Sequence, residues 1–201
     1  MGRRSDHSRE ELHEMALAAA CEIVEEESQS ELTVRKVAKR IGYSVGTIYN
    51  LFENISELVA RINARTLDAL YEELAVAPYG DSPEESLQAL LTAYLRFARD
   101  NPKSWNMLFE DRPSTGYFPP AWYLAKVARN FSLLEERLGP LFGPGRETEQ
   151  GSAARLLWCG LHGVWTLAAG DKLAIVTSEP VETVAREFVD IFIAGLRAKA
   201  G

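Results

Sequence analysis

Cysteine, histidine and long apolar runs are all scarce in this chain of 201 residues, and each scarcity argues against a class of protein. The two cysteines, Cys21 and Cys159, are far apart and both lie in apolar helical patterns, which indicates buried, reduced thiols rather than a disulfide framework. No stretch approaches the roughly 18 consecutive apolar residues of a membrane helix, and no apolar run follows the basic N-terminus as in a signal peptide. We therefore expect a cytoplasmic protein with no membrane partner.

Patterns that carry catalysis or hold cofactors are also missing. The chain has no glycine-rich phosphate loop, no Cys-x-x-Cys pair and no His/Glu pair at the spacing of metal ligands. His162 lies on an apolar helical face, where a lone histidine is more often a core or interface residue than a ligand contact. We expect no cofactor, no metal and no enzymatic activity. The alternative is a small-molecule-binding enzyme or carrier that uses His162, and it lacks a second catalytic partner.

What the sequence does contain is apolar residues that recur at three- and four-residue steps along nearly the whole chain. No alternating pattern is long enough for a strand, so we predict an all-α fold of eight or nine helices. The predicted helices span residues 8–27, 33–40, 44–51, 54–75, 82–101, 103–109, 121–138, 149–169 and 181–198. Two stretches rich in proline and glycine, 111–120 and 139–145, are predicted to be loops.

The segment 32–57 has the residue types that a helix-turn-helix requires. Small or apolar residues stand where its two helices would touch, namely Val34, Val37, Ala38, Ile41, Ile48 and Leu51. Gly42 stands in the turn, where positive φ is expected, and Thr33 and Ser44 are suited to cap the two helices. We predict a three-helix domain over residues 1–54 that contains this helix-turn-helix, and a larger helical bundle over residues 55–201.

The charge pattern of this segment favours nucleic acid. The chain carries a net charge of -7, yet residues 33–52 contain no acid and four cations, Arg35, Lys36, Lys39 and Arg40. The acidic residues lie just upstream, between residues 22 and 31. A hairpin without negative charge suits phosphate, although a structural helix pair with a solvated basic face explains the charges equally well. The turn glycine, the caps and the polar second helix favour DNA over that reading. A hairpin that binds protein is an alternative, which a strong salt dependence of binding to duplex DNA would exclude.

The segment resembles the DNA-binding domain of the tetracycline-repressor (TetR) family, whose Ser-Val-Gly-Thr-Ile-Tyr run and following Phe are present here up to Phe52. The resemblance implies a DNA-binding domain over residues 1–54 and a domain for ligand binding and dimerisation over residues 55–201. It also implies that the second helix of the hairpin, residues 44–51, is the recognition helix of a dimer that binds a pseudo-palindromic operator, usually as a repressor. The implied DNA-binding residues are Thr33, Arg35, Lys36, Ser44, Val45, Gly46, Thr47, Tyr49 and Asn50. Family members commonly carry a lysine at the start of the next helix, where this chain has Asn54-Ile55.

The second half offers aromatic residues rather than a catalytic motif. Trp158, Leu161, His162 and Gly163 resemble the Trp-His-Gly C-terminal domain of one branch of the family. A cavity lined by rings and a solid core both fit the aromatic cluster, and inner faces with little charge indicate an uncharged or weakly polar effector. The predicted ligand-binding residues are Tyr94, Phe97, Trp105, Phe109, Trp122, Trp158 and His162.

The last helix carries a broad apolar stripe made of Val184, Ala185, Phe188, Ile191, Phe192 and Leu196. Paired with the preceding helix's Leu157, Leu161, Val164 and Ala168, it forms either a four-helix bundle between two subunits or a core within one. DNA binding favours the homodimer, because two recognition helices on a twofold axis reach major grooves about 34–36 Å apart.

Overall fold

The computed structural model describes residues 7–110 and 118–200, and their regular structure is entirely helical. The ten α-helices in these ranges are α1 (Arg9–Glu26), α2 (Val34–Ile41), α3 (Val45–Leu51), α4 (Ile55–Ala75), α5 (Pro83–Asp100), α6 (Pro102–Glu110), α7 (Ala121–Leu138), α8 (Glu147–Ala169), α9 (Leu173–Val176) and α10 (Val181–Ala200). Two 3₁₀ turns cover Gln29–Glu31 and Gly139–Leu141. The all-α prediction is confirmed. None of the helices described here is long and apolar enough to cross a bilayer.

Most predicted helix boundaries lie within one or two residues of the observed ones. The short α9 was not predicted, because four residues are too few to show a helical period. Pro102 occupies the first turn of α6 rather than ending a helix, as proline at that position permits. Of the predicted loop 111–120, residues 111–117 lie outside the described residues and residues 118–120 are not helical.

The chain divides into two compact units, and the first contains residues 1–68 and 101–124. In this unit α1 packs on α2, α3 and α6. A capping box starts α1, since Ser8 accepts a hydrogen bond from the Glu11 backbone N–H and Glu11 accepts one from Ser8. The buried core comprises Ala16, Leu17, Ala19, Ala20, Ile23, Val24, Leu32, Val37, Ala38, Ile48, Phe52, Leu58, Val59, Ile62 and Met107.

The second unit contains residues 69–100 and 125–201, and in it α10 packs on α5 and α8. Its buried residues include Leu87, Leu90, Leu91, Leu95, Leu157, Leu161, Ala185, Val189 and Ile193. The absence of a side chain at Gly160 lets α8 and α10 approach closely, because a Cβ there would overlap the ring of Phe188.

The buried face of α8 differs from the one predicted for the dimer. Leu157 and Leu161 are buried inside the second unit, whereas Leu156 is 65% exposed. Adjacent residues on a helix point about 100° apart, so the stripe through Leu157 serves the intramolecular core and the stripe through Leu156 faces solvent. Cys159 also lies on the exposed side, so the prediction that both thiols are buried is wrong for this residue.

Candidate functional site

The turn between α2 and α3 has the geometry of a helix-turn-helix. Gly42 has φ 77°, the left-handed conformation predicted for it, and ends α2. The Tyr43 backbone N–H donates to the Ala38 carbonyl at 2.9 Å, which satisfies one of the last carbonyls of the helix. Both predicted caps are present, as the Lys36 N–H donates to Thr33 Oγ1 and the Thr47 N–H to Ser44 Oγ, each at 3.2 Å. The local sequence therefore fixes where each helix begins.

The recognition helix α3 has one buried and one exposed side. Ile48 is 1% exposed and lies in the same core as Val37 and Ala38 of α2, as predicted, while Tyr49 is 57% exposed. The other exposed residues of the segment are Ser44, Val45, Gly46 and Asn50. Thr47 is partly buried, and its hydroxyl lies 3.0 Å from Ser44 Oγ. Of the residues assigned to α3 from the sequence, Val45, Gly46, Tyr49 and Asn50 are therefore exposed on the side of the helix away from the buried Ile48.

The cations of α2 are not equivalent. Lys36 Nζ forms ion pairs with Glu27 at 2.6 Å and Glu31 at 2.5 Å, so the hairpin surface is not free of acid as the sequence indicated. These hydrogen bonds raise the pKa of Lys36, and the Lys36 ammonium lowers the pKa of Glu27. Arg40 is ion-paired as well, whereas the exposed Arg35 makes no side-chain ion pair within the described ranges. Lys36 and Arg35, both predicted to contact DNA, therefore have different surroundings.

The N-terminus of α4 lies just after the recognition helix and is capped by local side chains. The Glu57 N–H donates to Asn54 Oδ1 at 2.9 Å, but Glu57 Oε2 accepts from the Glu53 N–H at 2.8 Å instead of from Asn54. Only half of a capping box is therefore present. Ile55, which stands near the position of the family's lysine, is exposed.

Two basic residues in or beside the hairpin, Arg9 and Lys39, are not among the predicted DNA-binding residues. Arg9, in the first turn of α1, donates from Nη2 to the Asn50 carbonyl at 3.3 Å, beside the C-terminal end of α3. A cation at this end of a helix is favoured by the helix dipole. No local pattern signals a contact across forty-one residues. Lys39 is exposed and lies four residues after Arg35, so the helical period alone could have placed it beside Arg35.

An aromatic and polar cluster lies in the second unit. The Tyr94 hydroxyl and His162 Nδ1 are 3.2 Å apart, and the His162 ring stacks on Trp158 at 5.0 Å between centroids. Phe131, which was not predicted as a site residue, meets Trp158 edge-on at 5.7 Å. Burial raises the pKa of Tyr94 and lowers the pKa of His162, so both groups are neutral at neutral pH.

The seven predicted ligand-binding residues do not all lie in this cluster. Phe97 is buried in the same unit as Tyr94, Trp158 and His162. Trp105, Phe109 and Trp122 belong to the first unit. There the Trp105 and Phe109 rings are 5.1 Å apart, and the Arg61 guanidinium lies 4.5 Å from the ring of Trp122.

We expect the burial of His162 to make stability depend on pH. Because its pKa is lowered in the folded state, the unfolded chain binds more protons as the pH falls below the ordinary histidine pKa of about 6.5. The wild type should therefore lose stability between about pH 7 and the lowered pKa, and His162→Gln should lose less. Urea unfolding of both proteins across this range checks the prediction, and parallel curves would contradict it.

Comparisons with known proteins agree with this geometry. The model of the family described as "Bacterial regulatory proteins, tetR family" matches residues 16–62. The model described as "Tetracyclin repressor-like, C-terminal domain" matches residues 87–192, more than half of the chain. No curated protein matches the chain in sequence.

Several solved structures have the same fold. A protein of unknown function from Rhodococcus sp. RHA1 is 21% identical with a TM-score of 0.75, over 98% of this chain and 100% of that one. A TetR transcriptional regulator from Rhodococcus sp. RHA1 is 23% identical with a TM-score of 0.67, over 94% of this chain and 99% of that one. A TetR family transcriptional regulator from Thermus thermophilus is 20% identical with a TM-score of 0.59, over 89% of this chain and 97% of that one.

The two family models cover the hairpin with its exposed recognition helix and most of the helices that follow it. The solved structures share the fold over nearly the whole chain. This chain belongs to the tetracycline-repressor family of transcription regulators.

Proposed function

We propose that this protein is a ligand-responsive repressor that binds a pseudo-palindromic operator as a homodimer, with α3 in the major groove. The observation that carries the proposal is the two-sided character of α3, which buries Ile48 and displays Tyr49 and its polar neighbours. An exposed helix without acidic residues, held rigidly by an apolar anchor, suits a groove lined by phosphates. A regulator of this kind acts on the chromosome, so we place it in the cytoplasm.

The exposed residues divide by chemistry into two roles. Asn50 has the amide that pairs with adenine, and Val45 has the methyl groups that contact thymine, so these two residues and Ser44 are assigned to base edges. The residues assigned to phosphates are Thr33, Arg35, Thr47 and Tyr49. Gly46 lets the helix backbone approach the DNA. The division at residue 54 between this domain and the rest of the chain stays a prediction.

Dimerisation is assigned to the solvent-facing stripes of α8 and α10. Leu156 on α8 is 65% exposed and Ile191 on α10 is 72% exposed, although both side chains are apolar. Small residues follow on the same stripes, at Gly163 of α8 and Gly195 of α10. Two contacting helices with apolar, small-residue faces can pack on a second copy as a four-helix bundle.

The effector is assigned to the cluster around His162. What supports this is a neutral polar pair, Tyr94 and His162, placed against the ring of Trp158. Such a set suits an uncharged or weakly polar ligand that contains a ring or an apolar body and one hydrogen-bonding group. Phe97 is included in this site, while the roles of Trp105, Phe109 and Trp122 as lining stay predictions. Release of DNA on binding requires that the effector favour one of two states of the dimer.

The test is fluorescence anisotropy with duplexes selected from a random library, measured at several salt concentrations. We expect enrichment of a palindrome, a stoichiometry of two chains per duplex and a steep salt dependence. Tyr49→Ala should weaken operator binding by at least about tenfold, and Tyr49→Phe, which loses only the hydroxyl, by less. A folded dimer that enriches no sequence at low salt would overturn the proposal.

A further inference from the structure

The four cations of α2 form two stripes along the helix. Arg35 and Lys39 are four residues apart and share one side, and Lys36 and Arg40 share the other. The two stripes lie next to each other, about 100° apart, on the side of α2 opposite the buried face that contains Val37 and Ala38. A phosphate backbone that lies against one stripe therefore meets the other less well.

Four carboxylates surround the stripe of Lys36 and Arg40. Lys36 Nζ is 2.6 Å from Glu27 Oε2 and 2.5 Å from Glu31 Oε2. Arg40 Nη2 is 2.8 Å from Glu26 Oε2, and its Nη1 is 3.5 Å from Glu22 Oε2. Four negative charges against two positive ones leave this side of the hairpin acidic.

The stripe of Arg35 and Lys39 is not paired with carboxylates in the part of the chain that the structure describes. Both side chains are exposed, and within the described ranges neither forms a side-chain ion pair or hydrogen bond. Of the four cations in the hairpin, these two are free to meet phosphate without first breaking an intramolecular contact.

Helix stability alone does not explain the carboxylates. Glu22, Glu26 and Glu27 stand at the C-terminal end of α1, where the helix dipole disfavours negative charge, and the last turn carries no basic residue. Lys103 of α6 compensates in part, since its Nζ donates to the Glu25 and Glu26 carbonyls. Exposed ion pairs contribute little to stability, so the excess of acid is better explained by an effect on what Lys36 and Arg40 can bind.

We propose that Glu22, Glu26, Glu27 and Glu31 are specificity-determining residues, which occupy Lys36 and Arg40 and confine phosphate contact on α2 to Arg35 and Lys39. This inference rests on the proposed DNA-binding function, and it replaces the DNA contact that the TetR resemblance implied for Lys36. Sequence-independent binding depends almost entirely on cations that meet phosphates and can use any orientation of the protein. Pairing Lys36 and Arg40 with carboxylates removes two cations per subunit from phosphate contact. This loss weakens sequence-independent binding more than it weakens the operator complex, in which α3 also contacts the bases.

The test compares the wild type with Glu27→Gln/Glu31→Gln on the selected operator and on a scrambled duplex. Releasing Lys36 should steepen the salt slope on the scrambled duplex by about 0.9 per cation, or about 1.8 for a dimer. The double variant should bind the scrambled duplex more tightly than the wild type does, and the ratio of the two affinities should fall about tenfold between about 50 and 200 mM salt. Operator affinity should rise by less, so that the ratio of operator to scrambled binding falls.

Three controls make the result specific to Lys36. Adding Lys36→Gln to the double variant should restore the wild-type slope, and Lys36→Gln alone should leave the slope unchanged. Arg35→Gln should reduce the slope by about 0.9 per cation. Glu147→Gln/Glu179→Gln removes the same charge from two exposed carboxylates in the second unit and should have no effect on the slope.

Two outcomes would overturn the inference. In one, the double variant has the slope of the wild type or of the Glu147/Glu179 control; in the other, Lys36→Gln alone lowers the slope as much as Arg35→Gln does. The second comparison holds even if the double variant does not fold. A wild type that enriches no operator is a different result, because it contradicts the proposed function rather than the assignment of the cations.

Discussion

Replacing Ile48 with alanine is expected to lower the free energy of unfolding by about 2–5 kcal/mol. Ile48 is 1% exposed in the core of the first unit, and it is the one residue of α3 that is fully buried among those described. Truncation removes buried methyl groups and leaves a cavity that a seven-residue helix, capped at Ser44, has little freedom to close. Urea unfolding followed by far-UV circular dichroism measures the change.

Tyr49→Ala is the matched control for Ile48→Ala, since the two residues are adjacent on the same helix. Tyr49 is 57% exposed, so its truncation should change the free energy of unfolding by less than about 1 kcal/mol. Its effect should appear in DNA binding instead. If Tyr49→Ala destabilised the chain as much as Ile48→Ala, the separation of α3 into an anchoring and a displayed side would be wrong.

The parts of the hairpin that the sequence predicted are those fixed by neighbours in the chain. Thr33 and Ser44 each accept a hydrogen bond from the backbone N–H three residues later, and Gly42 adopts positive φ because its own backbone turns there. These features depend on local bonding and on the conformational cost of a side chain. Local chemistry therefore locates α2, α3 and the turn without knowledge of the rest of the fold.

The ion pairs of α2 could not be predicted in the same way. Along the sequence the acids of residues 22–31 and the cations of residues 35–40 form separate blocks, which indicates a segregated surface. The 3₁₀ turn Gln29–Glu31 connects α1 to α2, which pack on each other, and Glu27 meets Lys36 nine residues later. The position of this turn depends on how α1 packs on α2, which no local pattern contains.

The exposed face of α8 was missed for a related reason. The sequence around Leu156 and Leu157 is apolar on more than one side, so its period does not distinguish the face that meets α10 from the face that meets solvent. The distinction requires the packing of α8 in the second unit, where α10 is its main partner and where Leu157 and Leu161 are buried while Leu156 stays exposed. The apolar period predicted the all-α fold and the TetR resemblance predicted the family, but neither identifies the residues of this packing.

Trp105→Ala is expected to destabilise the chain by about 3–5 kcal/mol, and this result bears on the effector site as well as on the core. Trp105 was predicted to line a ligand cavity, yet its side chain is 2% exposed within the first unit. Phe109, one turn later on α6, is 40% exposed, so Phe109→Ala should cost only about 1 kcal/mol or less. Urea unfolding of both variants measures the difference. A cost near that of Phe109→Ala, together with the loss of an effector-induced rise in melting temperature, would instead identify Trp105 as the wall of a ligand cavity.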